Sequence, residues 1–292
     1  MAALNYAEQY SKELAQAYPY VLYSGALWNT ENSTKYRVVD AKTIQIPSIS
    51  VGGRTNGNRD TIGGFSRNFD NAWETKTLKN HRQWSTLAHP KDINDTNQVV
   101  SIANITKVMN EEEKFPEMDC YIFSTIYQLR NAQKAITPLS ADLTVNDVLD
   151  KFDEMMDEMD EARVPAAGRI LYCDTFTKTL ITKAIAIVRG NGDKKLVRDV
   201  ERLEEVTITS VPTNLLKTKY TFATGYSPAV GALDIKMLLV HPSSILPIVS
   251  YEFAQLESPS AMSQGKYVYF EESFEDVFIL NKRVDAIQIV VK

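Results

Sequence analysis

Two cysteines among 292 residues are too few for a disulfide framework, and Cys120 and Cys173 both lie in apolar patterns, where small thiols are usually buried. Histidine occurs three times, at His81, His89 and His241, far apart and in no metal-ligand spacing. No apolar run reaches the roughly eighteen residues of a membrane-spanning helix. Met1 to Tyr20 also lacks the apolar core flanked by positive charge that marks a signal peptide. These absences predict a protein made and kept in a reducing cytoplasm, in which the Asn-x-Ser/Thr matches at Asn32 and Asn104 carry no glycan. Gly-x-Ser-x-Gly, paired Cys-x-x-Cys and a dinucleotide fingerprint are missing too, and the glycine-rich stretch from Gly52 to Gly64 has no Gly-Lys-Ser/Thr to cradle a phosphate. The sequence therefore assigns no catalytic, cofactor-binding or metal-binding residue.

What is present is ordinary in bulk: 44% hydrophobic and 24% charged residues, enough chain for one large domain or two of moderate size. A net charge of -5 argues against a surface built wholly to grip nucleic acid. The longest helical periodicity runs from Thr96 to Arg130. Val99, Ile102, Ile105 and Val108/Met109 recur at helical steps, then Phe115, Met118, Ile122, Ile126 and Leu129 do so after Pro116. Proline cannot continue a preceding amide ladder, so the run is two helices or one kinked helix, with Glu117 and Asp119 suited to a helix N-terminus.

Residues 1 to 41 hold aromatics in a polar setting, among them Tyr18, Tyr20 and Trp28, and need another surface to pack on: their own domain or a neighbouring subunit. Thr43 to His89 alternates in short pieces around the Gly52–Gly64 tip and reads as a long hairpin. Two strands alone are marginal in water, so the hairpin must rest on something else. Leu143 to Arg163 reads as an acidic amphipathic helix with Thr144 as N-cap, and a short strand Arg169–Cys173 follows. Asp174 then caps a helix to Arg189 with Phe176, Leu180, Ala184 and Ile187/Val188 inward, and Gly190–Asp193 is a turn. The remainder is rich in strands: Glu205–Val211, Leu233–Val240, Tyr267–Phe270, Phe274–Leu280 and Ala286–Val291, with a short helix at Pro242 and long connections over Pro212–Gly231 and Pro259–Gly265.

Charge is segregated along the chain. Between residues 42 and 91, eight bases face three acids, a balance of +5; between 92 and 163, sixteen acids face six bases, a balance of -10. A basic arm opposite an acidic body suggests contact between them, within or between chains, although any one exposed pair is worth little. The carboxylates of the acidic helix have no histidine near them and read as a solvated face.

The order of parts resembles a tailed-bacteriophage major capsid protein of the Hong Kong 97-type fold. The stretches that carry the resemblance are Glu111-Glu-Glu-Lys-Phe-Pro-Glu-Met-Asp119, Val164-Pro-x-x-Gly-Arg-Ile-Leu171 and Phe274-Glu-Asp-Val-Phe-Ile-Leu-Asn-Lys282, and nearly the whole chain is covered. The resemblance implies an α+β fold with an N-terminal arm at 1–41, an extended hairpin loop at 42–92, a peripheral domain with a spine helix at 93–139 and 266–292, and an axial domain at 140–265. It implies pentamers and hexamers of the chain in an icosahedral shell enclosing double-stranded DNA held by non-specific contact. Its partners would be a portal protein, a cement protein and, because the chain starts directly with the arm, a separate scaffolding protein, with no membrane involved. Intersubunit contacts are expected at Tyr18, Tyr20, Trp28, Arg54, Arg59 and Arg67. Competing readings are an encapsulin-like bacterial compartment shell, a hydrolase using the acidic-helix carboxylates, and a nucleic-acid-binding module using the basic hairpin, whose tip lacks aromatics for base stacking.

Overall fold

The computed structural model describes residues 20–32, 36–40, 42–54, 56, 67–96, 101–188, 202–203 and 205–292. In chain order the strands are β1 Arg37–Asp40, β2 Thr43–Val51, β3 Phe69–Thr77, β4 His81–Ala88, β5 Ile170–Asp174, β6 Arg202–Leu203, β7 Val206–Val211, β8 Tyr220–Thr221, β9 Ser227–Pro228, β10 Ile235–Val240, β11 Ile245–Glu257, β12 Tyr267–Ile279 and β13 Ile287–Val291. Helices occupy Gly25–Trp28, Pro90–Asp95, Ile102–Met109, Phe115–Gln133, Val148–Glu161 and Thr175–Val188.

A five-stranded sheet, ordered β13-β10-β5-β7-β6, has a hydrophobic core on each face. On one face the spine helix contributes Cys120, Ile122, Phe123 and Ile126, against Tyr172, Leu238 and Val240. On the other, Phe152, Met155 and Met159 of the acidic helix and Leu180, Ile181 and Ala184 of the following helix cover Leu171, Cys173, Met237 and Leu239. Burial on both faces is why Ile235–Val240 reads as a near-continuous apolar run. Ile235 and Met237 nonetheless face opposite cores. A register shift between them against β13 supplies the extra residue that flips the alternation.

The spine is one helical run with one wider turn. Ile102–Met109 passes through a π-turn at Asn110–Lys114 into Phe115–Gln133, and Phe115 N donates to Asn110 O. Pro116 has no N–H to give to the preceding turn, and an i→i+5 turn directly before it lets the chain continue. Because the helix has no free end at Pro116, Asp119 caps nothing there.

β11 and β12, thirteen residues each, form a long antiparallel ladder, and β4 pairs with the other edge of β12. β11 is absent from the sequence reading, and the two strands expected at 267–270 and 274–280 are one. The acidic helix starts at Val148 rather than near Leu143, with Asp147 and not Thr144 as its N-cap residue; Thr144 lies in the turn before it, where its Oγ1 donates to Asp147 Oδ2 at 2.7 Å. Phe176, expected inward, is 61% exposed. It sits at the helix start, where the stripe toward the sheet begins with Thr177 and Leu180. The Pro212–Gly231 connection carries the small β8·β9 ladder and sends Leu215, Leu216 and Tyr220 into the core. The expected turn at Gly190–Asp193 and the side chains of Ile187 and Val188 lie outside the described residues. No helix among the described residues is long and apolar enough to cross a membrane.

Asp174 behaves as its sequence position predicts. Buried at the end of β5, its Oδ1 accepts Thr177 N at 2.7 Å and its Oδ2 lies 3.0 Å from Lys236 Nζ. Replacement by alanine removes an N-cap and the buried partner of a lysine. Asp174→Ala should lower unfolding stability by about 1–3 kcal/mol in a urea titration, whereas Phe176→Ala, at an exposed position, should change it by less than about 1 kcal/mol.

Candidate intersubunit surface

The hairpin has two unlike faces because strand side chains alternate. Ile44 and Ile46 of β2 are buried with Leu78 against Leu246, Ile248 and Phe274 of the long ladder. The other face carries Pro47, Ile49 and Val51, and the ladder places Trp73 opposite Pro47 and Phe69 opposite Val51. Among the described residues nothing covers it: Ile49 is 62%, Val51 70%, Phe69 52% and Trp73 48% exposed. Contiguous apolar surface of this kind on an extended hairpin marks a contact site.

Polar contacts fix the hairpin root. Asn281 Nδ2 donates to Glu74 Oε2 at 2.7 Å, Lys76 Nζ donates to Asn281 Oδ1 at 3.4 Å, Lys282 Nζ donates to Ile49 O, and Lys79 N donates to Asp276 Oδ2 at 2.8 Å. Near the tip, Arg67 lies 4.8 Å from the Phe69 ring centroid and its Nε donates to Phe69 O at 3.0 Å. Arg54 and Arg67 are exposed and form no ion pair among the described residues. The described basic residue of this region that does reach the acidic spine is Arg82, whose Nε lies 2.6 Å from Glu117 Oε1. Arg59 and Tyr18 lie outside the described residues.

The described part of the arm packs on its own chain. Tyr20 and Trp28 are half-buried against the core shared with the spine helix. Tyr20 Oη and Ser24 Oγ donate to the Asp119 carboxylate, joined by Ser24 N at 2.8 Å and Tyr23 N at 3.1 Å. Further along, Asn32 Nδ2 donates to Ser243 O at 2.6 Å. Burial holds the Asp119 carboxyl above the usual carboxylate range, against the pull of the hydrogen bonds from Ser24, Tyr20 and Tyr23. Asp119 was legible only as a helix-start acid. Its signal was its spacing with Ile122, Ile126 and Arg130 on one helical stripe, all four of them buried.

The carboxylates of the acidic helix, Asp150, Asp153, Glu154, Asp157, Glu158 and Glu161, line an open groove with Lys134 and Asp285. Burial pushes both thiols, Cys120 and Cys173, up to about 12, leaving them as packing groups at neutral pH.

No protein-family model matches the chain, and no curated protein matches it. Solved structures do. A Mycobacterium phage Che8 structure aligns with a TM-score of 0.65 at 11% identity, covering 95% of this chain and 93% of that one. The capsid structure of cyanophage P-SCSP1u gives 0.65 at 12% identity over 87% and 84%, and the mature capsid of bacteriophage PhiM1 gives 0.59 at 13% over 85% and 81%. The fold is the Hong Kong 97-type capsid fold, a mixed α and β architecture.

Removing the carboxylate of Asp119 leaves two backbone amides and two hydroxyls of the arm without their acceptor. Asp119→Ala should cost about 2–4 kcal/mol and speed hydrogen exchange across residues 20–32 more than in the rest of the spine helix. Because the folded-state pKa is raised, its contribution is full below the unfolded value and falls as pH rises through the folded one. Arm protection should therefore weaken as pH rises from the unfolded carboxylate value through the raised folded one, in wild type but not in Asp119→Asn.

Proposed function

We propose that this chain is a major capsid protein, assembling as pentamers and hexamers into an icosahedral shell around double-stranded phage DNA. The observation that carries the reading is the exposed apolar face of a hairpin rooted on a body with a phage capsid fold along nearly its full length. A structural subunit of this kind performs no turnover, and the acidic helix serves as a solvated face. The arm at 1–41, the loop at 42–92, the peripheral domain at 93–139 and 266–292, and the axial domain at 140–265 are its working parts. The aligned capsids come from phages, which favours a virion over an encapsulin-like compartment. A separate scaffolding protein, a portal protein, a cement protein and packaged DNA are its partners, and assembly takes place in the bacterial host cytoplasm.

Subunit contacts that are individually weak let a shell of many copies correct its errors. An exposed ion pair contributes about 0–1 kcal/mol and is screened over about 8 Å at physiological ionic strength. Arg54, Arg59 and Arg67 act together in this reading, with Tyr18, Tyr20 and Trp28 adding apolar contact in the finished shell; Tyr20 and Trp28 offer a neighbour only what their own core leaves uncovered.

Negative-stain microscopy of the purified chain, alone and with co-expressed phage proteins, tests the reading: closed shells support it, and DNA rather than protein cargo inside separates virion from compartment. Deleting Gly52–Gly64 should leave a folded, soluble chain that builds no closed shells; normal particles from it would sink the hairpin's role. Reversing Arg54, Arg59 and Arg67 to Glu should slow assembly in light scattering without lowering subunit thermal stability. Identical curves for wild type and the triple variant at low and high salt would remove charge from the account.

A further inference from the structure

Among the described residues no strand pairs with the outer edge of β3. Gly52 N donates to Asn68 O and Leu78 N to Lys42 O, each at 2.7 Å and each in the register of the β2·β3 ladder. Even-numbered residues of β3 therefore bond inward to β2, and the backbone groups of Phe69, Asn71, Trp73, Thr75 and Thr77 point out of the edge. Among the described residues, the carbonyl of Phe69 alone of these has a partner there, the Arg67 side chain. No proline or bulge interrupts these nine residues, whereas β1 at the opposite edge has four residues and a register shift between Val38 and Asp40. A nine-residue edge with no proline or bulge is a template for another strand.

We propose that β3 pairs antiparallel with β3 of a second copy of this chain, across a two-fold axis at Trp73, joining two hairpins into one six-stranded sheet. The proposal rests on the hairpin's role as an intersubunit element and gives that element its partner and register. Outward-pointing residues must meet outward-pointing residues, so allowed registers differ by two residues in the partner. Centring the pair on Trp73 sets Asp70 opposite the partner's Lys76, and by symmetry Lys76 opposite the partner's Asp70. It also sets Asn71 opposite the partner's Thr75, Ala72 opposite the partner's Glu74, and the two Trp73 rings against each other on the exposed apolar face. Moving one step toward the tip puts Asp70 against the partner's Glu74, and one step toward the root puts Glu74 against its own copy. Like charges directly opposite destabilise a ladder, and opposite charges and aromatic pairs stabilise it, so the sequence of β3 selects the Trp73-centred register.

The test uses the full chain with Trp73→Cys, at a position outside every core cluster; Cys120 and Cys173 are buried and do not compete. Mild oxidation should convert most of the chain to a disulfide-linked dimer on a non-reducing gel, while Thr77→Cys, which faces the partner's Phe69, stays monomeric. In a second arm, Asp70→Lys and Lys76→Asp should each weaken self-association several-fold by sedimentation, and the double variant should restore it. Particles that assemble while Trp73→Cys remains unlinked would overturn the pairing and leave the shell reading intact. Linked dimers that never assemble would support the pairing and count against the shell. Failure of the double variant to restore association would overturn the register.

Discussion

A hairpin joined by only one short further strand has little core of its own and must rest on another surface, and the organisation of this molecule follows from that limit. Ile44 and Ile46 are covered only because β11 and β12 run far enough to set Leu246, Ile248 and Phe274 beneath them. Beyond Ile46 the hairpin outruns its support, and Ile49, Val51, Phe69 and Trp73 are left to solvent. Placing that much apolar side chain in water forgoes burial worth about 25 cal/mol per Å², a cost that a second surface recovers on contact. The clasp of Asn281 on Glu74 and Lys76 aims the hairpin, and its apolar face lies on the side away from the body.

The body is built to be the stiff partner of that projecting element. A sheet with a core on each face has no free side, and the spine helix locks onto it with two buried charges three turns apart. Asp119 gathers the arm through Tyr20, Tyr23 and Ser24, while Arg130 donates to Ile287 O at 2.8 Å and Lys134 O at 3.0 Å, holding the final strand. Burial works against the charge on both, and their hydrogen bonds offset only part of it, so removing either side chain leaves several buried polar groups without a partner. The N-terminal arm and the C-terminal strand are thereby fastened to one helix.

Much of this architecture was legible because it is periodic. The hairpin over Thr43–Thr77, the acidic helix, the Asp174 cap and the doubly buried β10 follow from alternation, helical spacing and capping chemistry; His81–Ala88, read as part of the hairpin, instead joins the other sheet by pairing with β12. Elements whose partners are distant in sequence were not. β11 escaped notice because its outer half, Glu252–Glu257, is solvent-exposed and shows no apolar period, and it becomes a strand through pairing with β12. The continuity of the spine depended on a π-turn, which no spacing announces before Pro116. Of the candidate contacts, Arg54 and Arg67 are where a hairpin tip would put them, exposed and unpaired in ions, whereas Tyr20 and Trp28 pack at home because Asp119 draws the arm down.

The claim that another copy completes the hairpin is tested most directly by residue-resolved hydrogen exchange of the β3 amides in unassembled and assembled chain. The account predicts that the amides of Asn71, Trp73 and Thr75, which point out of the edge, exchange freely in the unassembled subunit and become protected on assembly. Those of Ala72 and Glu74, already bonded to β2, should change far less. Equal exchange at Asn71, Trp73 and Thr75 in the two states would contradict it.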